Sequence, residues 1–208
     1  MEPLGMRWVV AVVDGEVGSG GEEELGQVAG DAFAVLGVER RPWIDPEVLR
    51  RAYQERARTW HPDRDGGEAE KFRTLGEAYE LVRDVASRLR ALAGDGESAG
   101  TEVTDADLFM RVGSGLQASR AVLAKREAAR GVLERALLAG EVKGGLDELE
   151  ALRAAVAERI AAAELELRAT DGRWPEVRAV ELSGLARRFD RLTSWRREVG
   201  AAELALRG

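Results

Sequence analysis

The residues of this chain best placed to do chemistry are His61, Pro62 and Asp63, three in a row. They stand where a charged amphipathic run, Tyr53 to Trp60, stops and a short polar loop, Arg64-Asp65-Gly66-Gly67, begins. His61 is the only histidine in 208 residues. Its imidazole can donate or accept a hydrogen bond, and Asp63 offers a carboxylate that an arginine can grip in bidentate fashion. Pro62 fixes the backbone between them, so less conformational entropy is lost if the group docks on a surface. This is recognition chemistry. Turnover would need more than the chain offers. It has no cysteine, which excludes disulfides, thiolate metal sites and cysteine nucleophiles. One histidine cannot build a histidine-rich metal site, and there is no triad, Gly-rich phosphate loop or carboxylate pair beside the histidine. No catalytic residue, metal or cofactor is expected.

The elements that position this group read as helices. Asp45-Pro46-Glu47 is a strong helix start, with a capping carboxylate, proline at the first helical position and an acid in the first turn. Leu49, Ala52, Tyr53, Ala57 and Trp60 then recur at helical spacing, and Pro62 disfavours helix at His61 and ends the run. Upstream, Asp31 can cap a short turn in which Phe33 and Leu36 share a face, and Gly37 supplies the way out. Downstream, Phe72, Leu75, Ala78, Tyr79, Val82 and Leu89 continue at three- and four-residue steps as one further helix. The two longer helices, joined by a tight loop, should pair antiparallel.

Residues 1–29 are expected to be a loosely ordered N-terminal segment, because Trp8 to Val13 is too short to stand as an isolated strand and Gly15 to Gly30 is rich in Gly and Glu. Gly94 to Gly100 marks a linker, set at 95–104. From 105 to 208 the pattern predicts an antiparallel three-helix bundle. Its first stripe is Phe109, Val112, Leu116, Leu123, Leu133 and Leu137, with Gly113 and Gly115 weakening the first turns. Gly140 to Gly145 reads as a turn. Leu149, Leu152, Val156, Ile160, Ala163 and Leu167 form the second stripe, and Leu182, Leu185, Phe189, Leu192, Trp195 and Val199 the third. The expected fold class is all-α. A net charge of −7 disfavours a general nucleic-acid binder. No run approaches the ~20 apolar residues that span a bilayer, and no signal peptide is read. The expected compartment is the cytoplasm.

With these elements in place, three blocks resemble a J-domain. DAFAVLGV (31–38) looks like its opening, LRRAYQERARTWHPDR (49–64) like its second helix and His-Pro-Asp loop, and KFRTLGEAYELVRD (71–84) like its third helix. They fall in the expected order within a J-domain placed at 30–94. The whole plan is similar to the HscB co-chaperones of iron–sulfur cluster assembly, in which a J-domain precedes a three-helix bundle. Tyr53-Gln54-Glu55 with Arg58 resembles that family's second helix. Asp107-Leu108-Phe109-Met110 and the run RRFDRLTSWRREV (187–199) are similar to its bundle.

The resemblance implies a non-enzymatic partner of a DnaK-type chaperone, whose ATP hydrolysis it would stimulate. His61, Pro62 and Asp63 would meet the chaperone, Asp63 pairing with an arginine there. Arg50, Arg51, Arg58 and Arg64 would offer a positive face that steers the approach, with Gln54 on the same helix. Phe109, Met110 and Phe189 are the implied client contacts, though residues of these types also serve as bundle core. The implied client is an iron–sulfur scaffold protein, and a weak homodimer is left open. Three positions depart from the pattern. Arg111-Val112-Gly113-Ser114-Gly115 stands where the family is acidic and apolar, Gly76 replaces an asparagine, and Arg56 occupies a usual buried-leucine site. Arg56 should lay its stem on the core and send its head to water. A J-protein for another client, and a helical scaffold with an inactive J-domain, stand as alternatives.

Overall fold

A computed structural model describes residues 32–64, 67–94 and 105–208. The expected N-terminal segment, the Asp31 cap and the 95–104 linker lie outside the described residues. Among those described, all regular structure is helical, as the pattern predicts.

The first helix, α1 (32–36), is short because Gly37 ends it with φ +62°. The Gly37 N–H returns to Ala34 O and the Val38 N–H to Phe33 O, a left-handed cap that glycine reaches without steric cost. Ala32, Phe33 and Leu36 are buried. The guanidinium of Arg56 donates to Leu36 O and lies where a Cβ on Gly37 would sit. Its head therefore caps α1 rather than reaching water, a correction to the expectation above. A free helix-end carbonyl is a better partner than solvent for a cation already lying on the core.

Helix α2 (Pro46–Trp60) starts as its sequence dictates, with Asp45 Oδ1 accepting from the Glu47 N–H at 2.8 Å. Helix α3 (Ala69–Arg83) pairs with it, and the Tyr53 and Tyr79 rings meet at 4.5 Å. The run expected to continue to Leu89 instead breaks at Asp84. Its side chain accepts from the Ser87 N–H at 2.8 Å and starts a new helix, α4 (Val85–Ala93). A carboxylate that can cap offers the backbone an alternative to continuing the helix. The break lets α4 lie along the last helix of the chain.

The C-terminal half is three helices, α5 (Ala106–Ala128), α6 (Val132–Asp171) and α7 (Ala179–Arg207), each touching the other two. The turn expected at Gly140 to Gly145 does not occur. All six residues lie inside α6, whose 40 residues extend about 60 Å. The chain turns earlier, at 129–131, where the Glu134 carboxylate accepts from the N–H groups of Arg130 (2.8 Å) and Gly131 (3.2 Å). Interior glycine costs a helix only about 1 kcal/mol, less than a well-satisfied cap determines. Leu133 and Leu137 consequently belong to α6 and are each 74% exposed, not part of the α5 stripe. Gly115 is a contact rather than a weakness, since a Cβ there would lie 2.4 Å from the Leu152 side chain.

Asp105 precedes α5 at φ 74° with its side chain fully buried. It accepts from Arg159 at 2.9 Å and Arg188 at 3.1 Å, joining the three bundle helices at one point. The two halves of the molecule meet through α4 on α7 and through Asp171. Its carboxylate accepts from Arg41 Nε (3.0 Å) and Nη2 (2.6 Å) and from the Trp43 N–H (3.0 Å). Arg168 stacks on the Trp43 ring at 4.2 Å. Behind this junction Arg88 is 3% exposed and donates to Pro42 O and Val82 O. Burial pulls its pKa down to about 10.

Candidate partner-docking site

The α2–α3 hairpin carries His61, Pro62 and Asp63 at its tip. Helix α2 ends at Trp60 because His61 takes extended geometry, φ −57° and ψ 130°, ahead of Pro62. The loop closes by backbone hydrogen bonds: Arg64 N–H to His61 O at 3.1 Å, Gly67 N–H to Arg64 O at 2.9 Å, and Glu68 N–H to Trp60 O at 3.2 Å. Gly67 is required by space, since a Cβ there would lie 1.9 Å from the His61 carbonyl oxygen.

His61 packs edge-on against Phe72 of α3, with centroids 5.2 Å apart, so the imidazole is anchored from below. Its Nδ1 accepts from the Asp63 N–H at 3.2 Å, which puts the ring proton on Nε2. Asp63 projects away, with its side chain 87% exposed and Oδ2 3.7 Å from Nδ1. The tip therefore presents a solvated carboxylate and an oriented imidazole at a turn closed by backbone hydrogen bonds. A bidentate cation can reach that carboxylate.

The basic residues divide. Arg51 and Arg58 are exposed on α2 and their side chains make no ion pair among the described residues, and Gln54 is exposed on the same helix. Arg50 is tied to Glu47 at 2.6 Å. Arg64 bends back to donate to Arg58 O at 2.8 Å, capping α2. Arg51 and Arg58 are thus the α2 arginines without a partner among the described residues, and Glu55 is exposed on the same helix.

The bundle residues also divide. Phe109 and Met110 are 55% and 68% exposed at the start of α5, whereas Phe189 is 5% exposed within the core of α7. Phe189 supports the bundle and does not present a face to a partner. Sequence reasoning missed Gly67, whose signal was the Asp65-Gly66-Gly67 run, and Asp171, which had none. The latter meets residues 128 and 130 positions away. No group of side chains suited to a metal ion occurs among the described residues, and none of their helices is long and apolar enough to cross a membrane.

Residues 31–90 match the family model described as DnaJ domain. The chain is 41% identical over 63 residues to the chaperone protein DnaJ of Carboxydothermus hydrogenoformans, a match covering 29% of this chain and 16% of that protein. It is 38% identical over 56 residues to DnaJ homolog subfamily A member 4 of Homo sapiens, covering 27% and 14%. It is 40% identical over 62 residues to DnaJ homolog subfamily B member 7 of Mus musculus, covering 28% and 19%. The chain thus spans less than a fifth of the length of these relatives, and no solved structure gives a significant match. The hairpin that presents His61, Pro62 and Asp63 lies wholly within the stretch that matches a DnaJ domain.

Proposed function

We propose that this chain is a J-domain co-chaperone: its hairpin docks on a DnaK-type chaperone through His61, Pro62 and Asp63 and stimulates ATP hydrolysis there. The observation that carries this is the tip itself, a solvated Asp63 carboxylate beside an imidazole fixed by Phe72 and by the Asp63 N–H. An arginine of the chaperone pairs with Asp63, and Arg51 and Arg58 steer the encounter. The bundle holds the client. A J-domain followed by three helices supports the narrower HscB-like reading, with an iron–sulfur scaffold as client. A different client is favoured by Arg111-Val112-Gly113-Ser114-Gly115, which lacks the acidic surface of that family.

The test is steady-state ATP hydrolysis by a DnaK-type chaperone with the wild-type chain and with Asp63→Asn. The variant removes the charge and keeps the shape. Stimulation by wild type should fall at least to about a tenth in the variant, the loss of one charge-assisted pair. Equal stimulation by both would remove Asp63 from the mechanism, and none by either folded protein would sink the co-chaperone reading. Capture of a purified iron–sulfur scaffold separates the two client readings.

A further inference from the structure

Helix α6 begins outside the bundle. It runs antiparallel to both neighbours: Lys125 of α5 reaches Glu141 at 2.6 Å, Gly115 of α5 lies against Leu152, and Leu206 of α7 lies against Gly145. Helix α5 has only three residues left beyond Lys125, and α7 only one beyond Leu206. Arg126 closes the bundle there by donating to Ala205 O and Leu206 O. Counting on from those pairs, α5 ends level with about residue 138 and α7 with about residue 144. The opening turns of α6 therefore project past both.

Val132, Leu133 and Leu137 stand exposed on this projection. Leu133, Leu137, Gly140 and Gly144 follow one another at steps of four, three and four residues, which puts them on one stripe of the helix. A Cβ added to Gly140 or Gly144 would meet nothing within 4 Å, so no neighbour inside the chain uses their bare backbone. Gly145 differs, since a Cβ there would lie 3.2 Å from Leu206. Interior glycine weakens a helix, and what it offers in return is close approach of another backbone.

The order of the stripe, two large residues and then two bare ones, selects its occupant. Steps of four, three and four read the same in reverse. A second copy laid antiparallel therefore sets Leu133 over Gly144 and Leu137 over Gly140, and the symmetric pairs follow. This is the self-complementary patch that a closed two-fold dimer needs, and without a Cβ in the way the axes can close to about 8 Å. The acids on one flank are engaged within each copy, Glu134 at the α6 N-terminus and Glu141 with Lys125. On the other flank Lys143 comes level with Val132 and Ala136 of the second copy, which its aliphatic stem can cover.

We propose that the projecting start of α6 is a homodimer surface, closed by a second copy of the same stripe in antiparallel register. The surface is short, so the dimer is reversible. Joined at these ends, the two α6 helices carry Asp171 and the two α2–α3 hairpins at opposite extremes of the assembly. The proposal does not depend on the co-chaperone reading.

The test is sedimentation velocity of the full chain from about 1 to about 500 µM. Wild type should pass from monomer to dimer within that range. Leu137→Ser changes a side chain that is exposed in the monomer, so it should keep the helical circular dichroism and weaken association at least about tenfold. Gly140→Leu fills the hollow that takes Leu137 and should weaken association by a similar factor, although it adds apolar surface and favours the helix. Combining it with Leu137→Ala exchanges large and small in both copies and should restore the dimer. A chain that stays monomeric throughout overturns the proposal and leaves the stripe to a partner of another sequence. A dimer indifferent to Gly140→Leu, or strengthened by it, overturns it in favour of another face or register. A double variant no better than Gly140→Leu alone overturns the pairing of Leu137 with Gly140.

Discussion

A methyl group on Gly67 would lie 1.9 Å from the carbonyl oxygen of His61, a distance no packed carbon tolerates. Gly67 therefore shapes the tip although it carries no side chain of its own. Gly67→Ala must push the His61 peptide aside, moving the imidazole off Phe72 and off the Asp63 N–H. The loop is solvated, so global stability should fall by only about 1–3 kcal/mol, the size of other local strain. Stimulation of the chaperone, which needs the tip geometry, should be lost almost completely. Comparing urea denaturation with ATPase assays checks this, and a variant with full stimulation would show that the tip reorganises freely. Arg56 teaches a related point, because it stands where a leucine is usual and recovers the site by capping Leu36 O over the bare face of Gly37.

Helix α6 depends on how it begins. The Glu134 carboxylate accepts from the N–H groups of Gly131 and Arg130, and these bonds hold its pKa below the usual carboxylate range. Because the folded value is depressed, the cap is fully present above the unfolded carboxylate value. It is lost as the pH falls through the lower folded value. At neutral pH the first turn should be closed, and below the usual carboxylate range it should fray. Amide hydrogen exchange over 132–136 would read this directly. Glu134→Gln keeps an acceptor but no charge, so it should show faster exchange at neutral pH and little further change in acid. Unchanged protection in the variant would mean that the side chains of α6 alone fix where it starts.

The whole molecule is joined at Asp171, at the far end of α6 from that cap. Its carboxylate takes two bonds from Arg41 and one from the Trp43 N–H, with its side chain only 10% exposed. These bonds seize the loop between α1 and α2 and so set the angle at which the hairpin leaves the bundle. Asp171→Ala leaves the Trp43 N–H unpaired and Arg41 with only its exposed contact to Glu39 at 3.4 Å, and should lower stability by about 1–3 kcal/mol. The cysteine-free sequence permits two introduced labels, one on α2 and one on α6. The distance between them should broaden in the variant while the helical circular dichroism stays constant. An unchanged distribution would assign the junction to α4 and α7 instead.

Much of this was written locally. The helix starts at Asp45 and Pro46, the stop at His61-Pro62, the α6 and α7 stripes and the likeness to a J-domain each depend on residues a few positions apart, where capping, proline sterics and helical period act directly. The same reasoning picked out His61-Pro62-Asp63 at the end of α2 but could not say which arginines stay free. Whether Arg50 pairs with Glu47, or Arg64 turns back to Arg58 O, depends on rotamers rather than on residue type. Three decisions belonged to the tertiary structure alone. Gly140 to Gly145 stay helical with Glu141 paired to Lys125 of α5 at 2.6 Å and Gly145 beside Leu206 of α7, contacts distant in sequence that a weak local preference does not override. Phe189 is core while Phe109 is exposed because one faces the centre of the bundle and the other its seam with α7. Arg41 and Asp171 meet across 130 residues, a pairing of ordinary surface-type residues that only the packing of one half on the other could select.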